Sequence, residues 1–470
     1  MKRDLITGAI VLPAIIAGST ACGGSTNGAK SKLPTQKPNI VFVLADDMGI
    51  GDLGCYGQKD IKTPTIDALA ESGLLFTHHY SGSTVSAPSR CCLLTGKHTG
   101  NAYIRGNKGE AVNGGSYDKA LPADEVTIAK LLKEQGYATG CVGKWGLGGP
   151  NTTGSPTNQG FDYFYGYLSQ GAAHRYYPNH LFENDEKVML DGKTYSHTLI
   201  KDKGLDFIRE NSDGPFFAYF AITLPHADLD YPDISQYDGK FEETPYINKS
   251  GKGFITQMKP RATYAAMVTG VDQCVAEIVE LLKAEGVYDN TIIIVSSDNG
   301  VHDVGGHDPE AFDSNLDFRG WKRDLYDGGV RTPFIVSWPA VIKGGRTTDH
   351  ESTFWDFLPT VCELTGAEAP SSIDGISYLP TLLDDETNQA KHDYIYYEFY
   401  ERGGRQMIFK DGWKLVRLNK SKPKQYVEEL YFTPNDISEA KNVIGENPEK
   451  AAELGRLMDG ARSESEIFKW

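Results

Sequence analysis

Four nearly continuous apolar runs, each ending in polar residues of catalytic type, constrain the fold of this chain more than any other feature. Asn39–Ala45 runs into Asp46-Asp47, Thr139–Gly143 into Lys144-Trp145, Phe216–Ile222 into Pro225-His226, and Thr291–Val295 into Ser296-Ser297-Asp298-Asn299-Gly300. Runs of this length, β-branched and aromatic and without polar alternation, predict strands buried on both faces. Helical patterns lie between them. Asp124 to Gln135 places Val126, Ile128, Leu131 and Leu132 ahead of a stop at Gly136. Arg261 to Glu285 lines Tyr264, Met267, Val268, Val271, Val275, Ile278, Leu281 and Leu282 along one stripe before Gly286. Strand–helix alternation predicts an α/β fold: a mostly parallel sheet with helices on both faces. In such sheets ligands bind beyond the carboxyl ends of the strands. The four polar clusters occupy those ends.

The last part of the chain reads differently. Tyr394 to Tyr400 and Gln406 to Leu418 are strand-like, with Asp411-Gly412 as a hairpin turn, and the stretch from Pro448 to Phe468 is helical in character. A small antiparallel sheet with a terminal helix is expected from about Pro380. The division expected is a main α/β domain over 38–379 and a C-terminal α+β part over 380–470. No internal repeats are evident.

A length of 470 residues allows a large core. The net charge of -16 excludes a polyanion grip spread over the whole surface, and nucleic acid as a partner with it. Anionic substrates remain open if cations are focused in one cleft. Lys2 and Arg3 precede an apolar stretch from Leu5 to Ala17 and then small residues up to Cys22. That is an export signal over 1–22, too short to span a bilayer comfortably. It predicts a periplasmic or cell-surface protein. Cys22 resembles a lipoprotein cleavage site, although Ser19 stands where Leu is usual, so a lipid anchor and ordinary cleavage both remain open. Residues 23–37 are polar and fit a flexible tether. The other six cysteines have no metal-ligand spacing and read as buried small hydrophobes rather than a disulfide framework.

The chemistry centres on Ser86-Ala87-Pro88-Ser89-Arg90. Pro88 suits a first helical turn and Gly96 a stop after Leu94, which places residue 86 at a helix N-terminus, where the backbone favours an anion. A Ser-x-Pro-x-Arg string alone arises by accident in roughly one chain in ten of this length. Here it is followed by Leu94-Thr95-Gly96 and accompanied by Asp46-Asp47 and Asp298-Asn299. Together these resemble the signature of the type I sulfatases, bacterial serine type. Arg319 to Pro333, with Asp327-Gly328-Gly329-Val330-Arg331-Thr332-Pro333, resembles a second signature of the same family.

The resemblance implies an alkaline-phosphatase-like fold and hydrolysis of sulfate esters. It implies that Ser86 is oxidised by a maturation enzyme to formylglycine, an aldehyde whose hydrate attacks sulfur. Asp46, Asp47, Asp298 and Asn299 supply only oxygen donors, joined in the family by residue 86. Such a set suits Ca²⁺, with Mg²⁺ also admissible, whereas Zn²⁺ would recruit His or Cys. Lys144 and Lys322 match lysines that hold sulfate oxygens, Arg90 supports the nucleophile side, and His226 matches the histidine that protonates the leaving alcohol. One departure stands out. Many sulfatases read Gly-Lys-Trp-His-Leu-Gly where this chain has Gly143-Lys144-Trp145-Gly146-Leu147-Gly148, so a histidine that contacts the hydrate is replaced by Gly146.

The segment Ala172 to Asn179 resembles a sugar-pocket loop of carbohydrate sulfatases, making His174 and Arg175 substrate-binding candidates, with Glu398 and Arg402 closing the pocket from the C-terminal part. The expected substrate is a sulfated carbohydrate, such as a galactose- or hexosamine-containing glycan. A phosphatase or phosphonate-ester hydrolase of the same superfamily, and a non-catalytic binder of sulfated glycans, remain alternatives.

Overall fold

The computed structural model describes residues 33–112 and 114–470. The export signal and Cys22 lie outside the described residues, as does most of the tether. A ten-stranded sheet organises the fold. Its strands, in chain order, are β1 (Asn39–Ala45), β2 (Leu74–Phe76), β3 (Ala138–Lys144), β4 (Tyr163–Tyr167), β5 (His180–Glu183), β6 (Glu186–Met189), β7 (Phe216–Ala221), β8 (Thr291–Ser297), β9 (Phe334–Ser337) and β10 (Arg346–Thr348). Their spatial order is β10-β2-β9-β8-β1-β7-β3-β4-β5-β6.

The five central strands β8, β1, β7, β3 and β4 are parallel. Four of them are the four apolar runs. Antiparallel strands flank them: β9 on β8, and the β5–β6 hairpin on β4. These flanking strands are short, and β6 is mostly exposed, so no continuous apolar run announces them.

Side chains of β1 alternate between two cores. Ile40, Phe42 and Leu44 face one, packed by helices α2 (Ser86–Thr95), α3 (Ile128–Glu134) and α6 (Phe357–Thr365). Val41, Val43 and Ala45 face the other, packed by α1 (Pro64–Ser72), α4 (Ser196–Asn211) and α5 (Pro260–Ala284). Both faces are therefore dry, which is why the strands carry no polar alternation. Helix α3 starts at Ile128 rather than Asp124. Thr127 caps it, accepting the Lys130 N–H at 3.3 Å, and a capping threonine stops the helix extending backwards.

The C-terminal sheet has four antiparallel strands, β11 (Ile395–Phe399), β12 (Arg405–Lys410), β13 (Trp413–Leu418) and β14 (Val427–Phe432). One face, with Ile395, Tyr397, Met407 and Val416, joins the core of the large sheet. The other, with Tyr396, Ile408, Leu415 and Leu430, packs on Leu454 and Met458 of helix α7 (Pro448–Gly460). The expected helix to Phe468 ends eight residues early. The chain turns back so that the Ser463 N–H reaches the Gly100 carbonyl at 3.1 Å and Phe468 packs against the Tyr400 ring. All six cysteines among the described residues are free, and five of them are buried. No helix among the described residues is long and apolar enough to cross a membrane.

Candidate active site

The carboxyl ends of β1, β3 and β8 and the N-terminus of α2 meet in one buried cluster. Asp46 follows β1 directly, and its N–H is held by the Leu224 carbonyl at 2.9 Å. Asp47 then takes a left-handed backbone, φ 64°, a conformation that aspartate tolerates better than most residues. That turn sends two consecutive carboxylates into the same space. From β8, the Asp298 N–H bonds the Ala45 carbonyl at 3.0 Å, and its Oδ1 accepts the Asp47 N–H at 3.1 Å. Asn299 Nδ2 donates to Asp47 Oδ1 at 2.6 Å. All four side chains are fully buried.

Ser86 opens α2, whose end is set by Gly96 in the left-handed region (φ 70°). The Ser86 hydroxyl donates to Asp46 Oδ1 at 3.1 Å and accepts from Lys144 Nζ at 3.1 Å. Lys144, the last residue of β3, also donates to both Asp46 oxygens, at 3.0 and 2.7 Å. One turn along α2, Arg90 donates through Nε and Nη2 to Asp298 Oδ2 at 3.2 and 2.8 Å, and through Nη1 to the Lys144 carbonyl at 3.1 Å. Arg90 thus ties helix α2, which Ser86 opens, to the ends of both β8 and β3.

The other side of the cluster belongs to Lys322 and His226. Lys322 Nζ lies 2.6 Å from Asp47 Oδ2 and 3.2 Å from His226 Nε2. The segment carrying Lys322 sits close on the end of β8. The Gly300 N–H bonds the Gly329 carbonyl at 3.1 Å, and a Cβ on Gly300 would stand 2.0 Å from the Gly328 carbonyl oxygen. Only glycine permits that approach.

Electrostatics follow from burial and pairing. Burial pushes the Asp47 carboxyl up, but Lys322, then His226, His302 and Lys144, outweigh it and hold the group well below the usual carboxylate range. Asp298 is raised to about 6 by burial and by its neighbour Asp46, against the pull of Arg90. Burial, with Lys322 next, keeps the His226 ring far below the usual histidine range.

The oxygen-rich set fits a cation. Asn299 Oδ1 is buried without a hydrogen-bond partner, an acceptor of the kind a metal takes. Oxygens of Asp46 and Asp47 also converge with a His226 nitrogen within 4.8 Å of one another.

The expected sugar-pocket residues divide. His174 is at the cluster, its ring stacked on His226 with centroids 4.3 Å apart and planes at 26°. Burial, then Lys144 and Lys322, lower it to about 3, so it is neutral. Arg175 points outward, paired with Asp228 and donating to the Gly253 carbonyl at 2.7 Å. Arg402 lies on Asp324 at 3.4 Å, two residues beyond Lys322. Glu398 must be reassigned. It is fully buried and accepts from Arg105 at 3.0 Å, Arg462 at 2.7 Å, and the hydroxyls of Tyr396 and Tyr400 at 2.9 and 2.8 Å. Four donors leave it no face for a ligand; it is an internal anchor of the C-terminal sheet.

Three further residues were not read from the sequence. His302 is buried within electrostatic reach of Asp47 and Lys322; its place two residues after Gly300 was the available signal. Asp118 lies within reach of the Lys144 charge and Gln170 lies against Gly146, and neither belongs to a recognisable pattern.

The chain matches the sulfatase family model over residues 38–367, and the model of the N-sulphoglucosamine sulphohydrolase C-terminal region over residues 319–460. It is 32% identical to human N-acetylgalactosamine-6-sulfatase over 382 residues, 74% of this chain and 66% of that protein. It is 28% identical to N-acetylgalactosamine-6-O-sulfatase of Bacteroides thetaiotaomicron over 530 aligned positions, 96% of this chain and 97% of that one. Among solved structures, Ps i-CgsB in complex with k-i-k-neocarrahexaose superposes with a TM-score of 0.75 at 29% identity, covering 90% of this chain and 92% of the other. Phosphonate monoester hydrolase of Agrobacterium radiobacter shares the fold, with a TM-score of 0.65 at 20% identity over 90% and 95% of the two chains. With its two signatures assembled at the ends of β1, β3 and β8, the chain belongs to the sulfatase family of sulfuric ester hydrolases.

Proposed function

We propose that this protein removes sulfate from carbohydrate, cleaving the S–O bond with residue 86, as formylglycine, at the nucleophile position and a hard cation, Ca²⁺ foremost, beside it. The observation that carries this reading is the Ser86 hydroxyl held between Lys144 and Asp46 inside a wholly buried carboxylate cluster. The carbohydrate reading is supported by relatives named for N-acetylgalactosamine 6-sulfate and by the neighbour solved in complex with k-i-k-neocarrahexaose.

Asp46, Asp47, Asp298 and Asn299 would hold the cation, which would supply charge to balance a sulfate group. The formylglycine hydrate would supply the attacking oxygen. The remaining work falls to side chains. Lys144 and Lys322, at opposite ends of the cluster, bind sulfate oxygens and neutralise their charge. Arg90 orients the helix that carries residue 86. The negative charge of a bound sulfate would offset Lys322 and Lys144 and raise the proton affinity of the His226 ring, whose Nε2, beside Lys322, would then deliver a proton to the departing sugar oxygen. A sugar alkoxide leaves poorly without one. His174, stacked on His226 and neutral, fixes the plane of that ring and offers a nitrogen to sugar hydroxyls.

The reading extends to an enzyme that oxidises Ser86 and to export through residues 1–22, with a lipid anchor at Cys22 and ordinary cleavage as the two alternatives. Incorporation of labelled fatty acid into the wild type but not into Cys22→Ala tests the anchor. The central test is sulfate release from a panel of defined sulfated sugars, with phosphate and phosphonate esters in parallel. The wild type should release sulfate, its peptide spanning residue 86 should be two hydrogens lighter than serine requires, and Ser86→Ala should release none while melting as the wild type does. Turnover by Ser86→Ala, or preference for the phosphorus esters, would overturn the reading.

A further inference from the structure

We propose that the side-chain amide of Gln170 is a further catalytic residue, a neutral donor to an oxygen of the sulfate or of the nucleophile, and that glycine at 146 is what admits it. The inference rests on the carbohydrate sulfatase reading above. Beyond Lys144 the chain runs alongside the end of β4. The Trp145 N–H bonds the Tyr167 carbonyl at 2.9 Å, and the Gly146 N–H bonds the Leu168 carbonyl at 3.3 Å. Two residues further along that second segment is Gln170. A Cβ built on Gly146, whose φ is +78°, would stand 2.4 Å from Gln170 Nε2. The carboxamide therefore occupies the space that any side chain at 146 would fill.

Gln170 Nε2 is buried and has no hydrogen-bond partner. A buried donor left unpaired costs about 1–3 kcal/mol, so a fold that retains one against Gly146, two residues beyond Lys144, is set for an oxygen-bearing ligand. The group is also held in place. The Gln170 N–H bonds Asp118 Oδ2 at 2.8 Å. Asp118 in turn lies close enough to Lys144 to feel its charge, while burial raises its carboxyl to about 6. The same loop reaches the other side of the site four residues later, where His174 stacks on His226. One short segment thus places a donor at the Lys144 side and a ring at the His226 side. A carboxamide does not ionise near neutral pH. Its contribution is to bind and orient an oxygen as charge gathers on it, with no proton gained or lost at Gln170.

Gln170→Ala and Gln170→Glu in the full, mature chain test this, assayed with a sulfated sugar that the wild type turns over. Sulfate release by the wild type in the same assay separates failure here from failure of the sulfatase reading. Alanine removes the group; glutamate keeps its size but replaces the donor with a negative charge. Both should lower kcat by about 10²-fold, the scale of one lost oxyanion donor, and the alanine variant should melt no lower than the wild type and keep its pH profile, since it removes no titrating group. Gly146→Ala should displace the amide and cost a similar factor, and combining it with Gln170→Ala should add nothing, because both changes remove one interaction. If the two Gln170 variants fold and keep kcat within about twofold of the wild type, the amide merely fills space and the proposal is wrong. Multiplying losses in the double variant would overturn it as well. Should the Gly146 variant fail to fold, the two Gln170 variants decide alone.

Discussion

At the scale of single residues, the site is a set of charges that burial would make untenable unless each had a partner. Asp46 has Lys144, Asp47 has Lys322, and Asp298 has Arg90, at 2.6 to 2.8 Å. Removing one member leaves its partner charged in a dry interior, so a single substitution here disturbs more than the pair it breaks. His226 offers a cleaner probe. If it protonates the leaving oxygen, His226→Ala should slow sulfated sugars by about 10²–10⁴-fold and an aryl sulfate far less, because an aryl oxide departs without help. Equal losses across a series of leaving groups of graded pKa would reduce His226 to a binding residue. Asn299 probes the cation. Chelation should abolish activity, and Ca²⁺ should restore it better than Zn²⁺, since every predicted donor is oxygen. Asn299→Ala should raise the Ca²⁺ concentration needed for half-restoration, and elemental analysis showing stoichiometric zinc in active enzyme would refute the assignment.

At the scale of elements, the decisive features are the places where strands stop. The apolar runs marked four of the five central strands, and their polar endings marked Asp46, Lys144, His226 and Asp298, because a strand dry on both faces can carry polar side chains only at its ends. β4 and its loop were not legible in the same way. Tyr163–Tyr167 is rich in tyrosine and interrupted by Gly166, and nothing local ties Gln170 to Gly146 across the strand pair. Glu398 was misplaced for a related reason. Sequence shows a charged residue near a pocket-forming segment, not the two arginines that enclose it. A pH effect belongs to this scale too. Asp52, in the turn after β1, accepts Tyr264 of α5 at 2.6 Å, Ser314 at 2.5 Å and the Gly49 N–H at 2.7 Å, joining the site's first loop to that helix. Burial outweighs these bonds and raises its carboxyl from 3.8 to about 6. The folded state therefore holds the Asp52 proton more tightly than the unfolded chain. Its contribution to stability is full below about pH 4 and is lost as pH rises through about 6. Asp52→Asn keeps a neutral group of the same shape. Denaturant melts should show it more stable than the wild type at pH 8, by up to about 3 kcal/mol, with no gain at pH 4. A gain that does not change with pH would mean that ionisation of Asp52 is not the cause.

At the scale of the whole molecule, the C-terminal sheet is a structural part of the active site rather than an appendage. Its inner face shares the core of the large sheet, and Tyr397 donates to the Ser81 carbonyl at 2.5 Å, five residues ahead of Ser86. It also grips the segment that carries Lys322. Arg319 donates to the Tyr431 hydroxyl at 2.8 Å, Arg405 pairs with Asp324, and Lys414, wholly buried on β13, lies between Asp327 and Glu439. Burial opposes the Lys414 charge, but the two carboxylates hold its pKa above the usual value, so it stays an ammonium inside the protein. Lys414→Met replaces it with an apolar chain of similar length and strands Asp327 and Glu439 together, with only Arg331 left on Asp327, at 3.0 Å. Breaking a buried pair from one side costs about 3–5 kcal/mol. Because the two sheets share one core, that loss should appear as a lower melting temperature of a single calorimetric transition for the whole chain. Turnover should fall below the melt as well, since the Lys322 segment loses its clamp while Lys322 itself is untouched. A melt that splits in two, with the catalytic signal unmoved, would show that the C-terminal sheet folds on its own and that the site stands without it.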